Sequence, residues 1–309
     1  MDIAWKSIVG SRLYGLEMED SDTDYKGIFF PEYERLFPTA RQIYGLDHFS
    51  PHEKQEFRDG EGSDKDEGMY YSPTYFLKLF FKGNPTLAEL PFVTEKFIVE
   101  SNDYGLEIME FVRNNLITKH LFSGYYGFYV DQMQAFVTGK GRCREKRLRK
   151  GSTIPEGYSI PQELLDQFYA KDFESDWKCG NKPSVSKDIV EKIRHLLIDQ
   201  GWYDGKMMSH AYRIGIQGIE LFSTGKMNST LEGDVLDVAR RMKTLGDADL
   251  DAPGRISRED AIAMVQDIGA KLKALETTST LPSAPNKEKT NGFILDIIAR
   301  YYDRSDLLK

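Results

Sequence analysis

Cysteine is nearly missing from this chain: among 309 residues only Cys143 and Cys179 occur, and neither has a second cysteine two or three positions away. That spacing excludes zinc ribbons and redox-active pairs and leaves two free, reduced thiols. Histidine is scarce as well, at five residues. His48 and His52 flank Phe49-Ser50-Pro51, and a proline between them breaks the helix that would align two metal ligands, so a surface loop is expected. No run of about 18 apolar residues is present, the length a membrane-spanning helix requires. The opening MDIAWK lacks the basic start and apolar centre of a signal peptide. A cytoplasmic protein with no membrane partner is expected. Positive charge is in deficit, with a net charge of −8, so the molecule as a whole does not present the basic surface of a nucleic-acid binder.

What remains is an ordinary globular composition, 40% apolar and 29% charged, in a chain long enough for about two domains of roughly 150 residues. One stretch departs from the acidic balance. KGRCREKRLRK, residues 140–150, carries Lys140, Arg142, Arg144, Lys146, Arg147, Arg149 and Lys150 against Glu145 alone. Two readings stand side by side, a solvated charged face and a contact with a polyanion such as RNA.

Short extended segments and helical ones alternate over the first hundred residues. Ile3 to Val9 reads as a strand ended by Gly10-Ser11, and Lys26 to Phe30 as another ended by Pro31. The acidic stretch from His52 to Glu67 reads as a loop. Ser72 is an N-cap with Pro73 in the first turn, and Tyr75, Phe76, Leu79 and Phe80 recur at helical spacing until Gly83 and Pro85. Past residue 100 the period becomes helical. Leu106, Met109, Val112 and Leu116 define one helix, and Ser186 caps another carrying Ile189, Val190, Ile193, Leu196 and Leu197. Ser229 with Glu232 and Ser257 with Asp260 have capping-box spacing. Gly151 to Lys182 reads as a long loop or insertion. Thr277 to Thr290 reads as a linker before a last helix from Asn291.

The residues that carry chemistry lie between the first two strands, in GSRLYG (10–15) and SDTDYKG (21–27). A Gly-Ser pair at a strand end that opens a helical turn exposes backbone N–H groups and a hydroxyl to a phosphate. Asp22 and Asp24 are two apart, so within a strand both carboxylates face the same way. Parallel carboxylates beside a phosphate cradle suit a pair of Mg²⁺ ions, hard cations that take oxygen ligands and bridge phosphates. Alone, an Asp-x-Asp pair is more often a polar turn held by Asx hydrogen bonds. The two motifs together, a strand on each side, are far more specific.

GSRLYG and SDTDYKG, with YYSPTYFLKLFFKGNPTLAEL (70–90) and GKMMSHAYRIGIQGIELFSTG (205–225), resemble the nucleotidyltransferase branch of the DNA polymerase beta superfamily that is associated with RNA repair in bacteria and phages. The resemblance covers most of the chain. It implies that Gly10 and Ser11 hold the triphosphate of an NTP, with Arg12 and Lys26 beside them, and that Asp22 and Asp24 bind Mg²⁺ or Mn²⁺. It also implies a third carboxylate five residues before the residue that opens the next helix. Here that rule selects Glu67 before Ser72, where the family's usual residue is Asp, and Asp66 and Asp64 remain alternatives.

Lys206, His210 and Arg213 fall at i, i+4 and i+7 on one helix face, which Gln217 and Glu220 extend, opposite Met208, Tyr212, Ile219 and Phe222. The face is either solvated or a nucleotide contact, and the resemblance implies the second. The fold expected is α+β: a polymerase-beta-like nucleotidyltransferase module of mixed sheet and helices over 1–100, then an all-helical C-terminal domain over 101–309 that closes the active-site cleft, with a loop-rich insertion around 140–185. The reaction expected is transfer of NMP from an NTP to an acceptor hydroxyl with release of pyrophosphate. An RNA end is the first expectation for the acceptor. A protein or small-molecule hydroxyl, or a non-catalytic nucleotide- or RNA-binding module, is the alternative.

Overall fold

The computed structural model describes residues 2–19, 21–32, 54–59, 66–81, 87–138, 156–169, 187–246 and 249–303. His48, His52, Cys143, Cys179, Asp64, Ser186 and the cationic run 140–150 lie outside them.

Five strands form one mixed sheet in the order β3-β4-β2-β1-β5, where β1 is Asp2–Val9, β2 Thr23–Phe30, β3 Lys54–Asp59, β4 Asp66–Tyr71 and β5 Ile98–Ser101. β1 and β2 are antiparallel neighbours, with Val9 opposite Asp24 and Ser7 opposite Lys26. β4 runs parallel to β2, with Thr23 paired to Asp66 and Asp24 to Glu67. The acidic stretch 52–67, expected as a loop, thus contributes β3 and the start of β4. KQEFRD has one apolar residue and so no alternation of apolar and polar residues to mark it as a strand. Its place at the sheet edge explains the composition, because charged side chains keep an edge strand from pairing with other chains.

One expected cap is realised around this sheet, at Ser72, and a second, at Asn102, was not expected. The helix α2, Pro73–Phe81, follows a single turn α1, Gly10–Tyr14, in chain order, and the Ser72 hydroxyl accepts from the Tyr75 amide at 3.3 Å. α2 buries Phe76, Leu77 and Phe80, and Tyr75 and Leu79 are half-buried. The next helix, α3, Asp103–Asn115, is capped by Asn102, which accepts from Gly105 N–H at 3.1 Å. Its inner face is Gly105, Ile108, Met109 and Val112, while Leu106 is 47% exposed, contrary to the apolar face expected from spacing. Gly105 sets that rotation: a Cβ there would overlap the Ala4 carbonyl of β1, so only glycine allows α3 to come this close to the sheet.

All described strands lie before residue 102, and the described chain beyond is helical or connecting. The helices are α4 (Phe122–Thr138), α5 (Gln162–Tyr169), α6 (Lys187–Asp199), α7 (Gly205–Thr224), α8 (Gly233–Leu245), α9 (Arg258–Thr278) and α10 (Lys287–Tyr301). No described helix is long and apolar enough to cross a membrane. α5 stands inside the expected 151–182 loop, and its Phe168 packs with Ile193, Leu197 and Trp202 in a small apolar cluster. α9 begins as its sequence indicates, with Ser257 accepting from Asp260 N–H at 3.0 Å and donating to the Asp260 carboxylate at 2.8 Å. Ser229 does not cap. It donates to the Phe92 carbonyl at 3.1 Å, and α8 starts four residues later at Gly233. The last helix starts at Lys287 rather than Asn291, because Asn286 supplies its own cap to Lys289 N–H at 2.9 Å.

In space the chain forms two compact units. The first comprises Met1–Gly127, Gln217–Glu232 and Leu272–Lys309, so segments from late in the chain join the sheet-bearing part. Within it α10 returns to β2 and α3: Tyr301 stacks on Phe30 at 3.7 Å between ring centroids, and Phe293 on Phe111 at 3.8 Å. The second unit comprises Phe128–Ile216 and Gly233–Lys271. There Tyr129 packs over Gly215 and Gly269, where added Cβ atoms would stand about 3 Å from its ring, and its hydroxyl bonds the Val265 carbonyl.

Candidate active site

Strand β1 ends where Gly10 takes a left-handed φ of +70°, and the chain turns at once into α1. Ser11 is half-buried at that turn. β2 then returns beside β1 and sets Asp24 opposite Val9, which brings the Asp24 carboxylate onto the Cα of Gly10. A Cβ at Gly10 would overlap Oδ2 and lie 3.2 Å from Cγ. The turn therefore needs glycine twice, for its φ and for the space the carboxylate fills.

The connection from α1 to β2 is held at both ends. Arg12 donates to the Ser21 carbonyl at 2.8 Å, and the Ser21 hydroxyl accepts from Met18 N–H at 2.8 Å. This loop delivers Asp22, which is exposed and stands one residue before β2 rather than inside it; Asp24 is inside the strand and half-buried. The Asp24 carboxylate thus stands beside the Gly10-Ser11 turn, and strand geometry does not extend to Asp22. For the third carboxylate, register distinguishes the alternatives: Glu67 is the partner of Asp24, and Asp66 the partner of Thr23.

Among the described residues no three His, Cys, Asp or Glu side chains form a metal-binding group. Asp24 supplies a hard oxygen donor at the turn cleared by glycine, and Asp22 stands two residues before it in the chain; carboxylate oxygens suit Mg²⁺ or Mn²⁺ and not a soft metal.

One residue that the sequence motifs do not single out, Glu89, completes this region. Glu89, only 7% exposed, accepts from the Tyr14 hydroxyl at 2.7 Å and lies 3.5 Å from the Lys26 ammonium. Lys26, expected at the nucleotide, is thereby engaged with a buried carboxylate that also grips α1. The pairing spans about 60 residues of chain, and no local spacing announces it.

The second unit holds the other expected residues. α7 is capped by Asp204, which accepts from Met207 N–H at 3.0 Å, and it is buried on nearly every side. The Lys206, His210, Arg213 stripe is not a solvated face: Arg213 is 7% exposed and Lys206 and His210 are half-buried. Burial pushes the His210 imidazole down to about 3, and the charges of Arg213, Lys206 and Lys243 push the same way. Lys243 joins the group because α7 and α8 cross at glycine. A Cβ at Gly205 would overlap the Met242 carbonyl, and one at Gly246 would crowd the Cα of Gly205. In the first unit the continuation of the stripe does separate work. Gln217 donates to the Asn228 carbonyl at 2.9 Å, and Glu220 accepts from Asn228 N–H at 2.8 Å, so both hold the turn after α7.

Comparison with known proteins agrees with the motifs. The chain is 25% identical, over 283 aligned residues covering 75% of it and 81% of the relative, to the "Uncharacterized 38.9 kDa protein in nrdC-mobD intergenic region" of Enterobacteria phage T4. RlaP, described as the RNA repair pathway DNA polymerase beta family, matches residues 1–296. The glycine turn, the Asp pair at the head of β2 and the helical segments that follow are thus features of a chain that belongs to the RNA repair pathway DNA polymerase beta family.

Proposed function

We propose that this protein is a metal-dependent nucleotidyltransferase that moves NMP from an NTP to the hydroxyl of an RNA end and releases pyrophosphate. The observation that carries the reading is the Asp24 carboxylate seated on Gly10, which joins the phosphate-binding turn to the acidic pair in one place. Family membership supports the reaction class and the RNA acceptor.

In this reading Ser11 and the backbone N–H groups of the α1 turn hold the triphosphate, and Asp22 and Asp24 hold Mg²⁺ or Mn²⁺ with Glu67, the register partner of Asp24, as third carboxylate. The bound metal supplies positive charge that lowers the pKa of the attacking hydroxyl and offsets charge on the leaving phosphates. The acceptor oxygen forms its bond to the α-phosphorus as the bond to the β-phosphate oxygen breaks. Its proton passes to a carboxylate of the acidic set, and pyrophosphate departs. Lys206, His210 and Arg213, joined by Lys243, act as a phosphate-binding group of the second unit, with His210 kept as a neutral hydrogen-bonding imidazole among cations. The run at residues 140–150 is the proposed RNA contact.

The net charge of −8 favours a second reading, in which the acceptor is a protein or small-molecule hydroxyl. Incubation with each α-labelled NTP, Mg²⁺ or Mn²⁺ and a mixed RNA pool separates them. Label in RNA supports the first, label in protein or small molecules the second, and label in none leaves a binding module.

A further inference from the structure

Strand register sets where Asp24 stands, but it reaches no further back than Thr23, the first residue of β2. Asp22 depends on the connection before the strand. Arg12, on α1, reaches across nine positions of chain and donates to the Ser21 carbonyl at 2.8 Å. That carbonyl belongs to the peptide group that carries the Asp22 N–H, and a peptide group is planar, so the bond fixes the plane on which Asp22 enters β2. Ser21 is secured a second time: its N–H donates to the Met18 carbonyl at 3.0 Å, and its hydroxyl accepts from the Met18 N–H at 2.8 Å. Arg12 starts from a fixed base as well, because the Leu16 N–H donates to the Ser11 carbonyl at 2.8 Å and the Gly15 N–H to the Arg12 carbonyl at 3.3 Å.

We infer that Arg12 is a positioning residue for the metal pair: through the Ser21 carbonyl it sets the backbone of Asp22, and with it the direction of that carboxylate, rather than gripping the triphosphate itself. The inference rests on the reading of Asp22 and Asp24 as metal ligands. Arg12 is exposed, so the bond is worth an ordinary hydrogen bond, roughly fivefold in an equilibrium. The sign of the effect separates positioning from charge. A guanidinium one peptide group from Asp22 repels a metal cation, so removing its charge alone would tighten cation binding. Releasing Asp22 weakens it.

Mn²⁺ itself is the probe, titrated into the intact protein and followed by the loss of the free-ion paramagnetic resonance signal, without NTP or RNA. Wild type is expected to bind, and Asp24→Asn to bind much more weakly. Arg12→Met keeps an apolar stem but removes the charge and the donors, and is expected to raise the Mn²⁺ Kd roughly fivefold. Ser21→Ala, which changes no charge, is expected to raise it by a similar factor. Because both release the same segment, the double variant is expected to stay within about tenfold of wild type, short of the roughly 25-fold of independent effects. An Arg12→Met protein whose Kd is unchanged or lower overturns the inference and leaves the guanidinium a role through charge alone. A Ser21→Ala protein that binds like wild type overturns it too, as do losses that multiply in the double variant. If wild type binds Mn²⁺ no better than Asp24→Asn, the metal reading fails first and the inference with it.

Discussion

The carboxylate of Asp24 rests against the Cα of Gly10, in the space a Cβ would take. Gly10→Ala meets two penalties there, a left-handed φ of +70° and a clash with Oδ2. Strain of this kind costs about 1–3 kcal/mol. Thermal unfolding is expected to show that loss, and transfer activity to fall by about 100-fold or more, since a displacement near 1 Å at a reacting centre has that effect. A Gly10→Ala protein with unchanged melting and turnover would show that the contact is dispensable.

The pairing of Asp24 with Glu67, and of Thr23 with Asp66, makes neighbouring acidic residues inequivalent. Glu67→Gln is expected to be far more damaging to transfer than Asp66→Asn. If Asp66 proves the sensitive residue, the register is displaced by one, which in a strand exchanges the two faces.

This part of the molecule shows what the sequence made legible. β1 and β2 were readable because apolar runs end at Gly10 and Pro31, and α2 and α9 because Ser72 and Ser257 cap locally. β3 was not, since a charged edge strand has no apolar alternation to detect, and the acidic Asp66-Glu67 start of β4 was hidden with it. Leu106 misled for a similar reason: spacing suggests a face, but the approach of Gly105 to Ala4 decides which face turns inward. The acidic pair was legible as a motif. Its surroundings were not, because Glu89 and Lys243 reach their partners through tertiary packing.

His210 offers a titration test. Burial and the three neighbouring cations keep it neutral, so the folded chain takes up its proton only near pH 3 and the unfolded chain near 6.5. Its folded pKa is depressed. The stability linked to it is therefore complete above about pH 6.5 and is lost as pH falls from there toward 3, by up to about 1.4 kcal/mol per pH unit. His210→Gln should lose stability less steeply across that window and match the wild-type slope above pH 7, as followed by denaturant unfolding. Inorganic triphosphate should raise the His210 pKa, seen in its imidazole proton shifts. A pKa that ignores the anion would argue against a phosphate-binding group at these residues.

The cationic run predicts salt dependence. If Arg144, Arg147 and Arg149 contact an RNA backbone, RNA affinity should fall steeply with salt as phosphates release counterions, and charge reversal of the three to Glu should flatten that slope. NTP binding should change little. Unaltered RNA affinity would make the run a solvated face and favour a protein or small-molecule acceptor.

Nucleotidyl transfer by this protein requires Asp22 and Asp24 to act as a pair, and the direct measurement is pyrophosphate release from NTP with acceptor and Mg²⁺. Asp22→Asn and Asp24→Asn should each keep the wild-type fold by circular dichroism and lose about 10³-fold or more in rate, because the charge that stabilises the transition state is gone. Near-normal release by either variant would rule out the aspartate pair as the metal-holding centre.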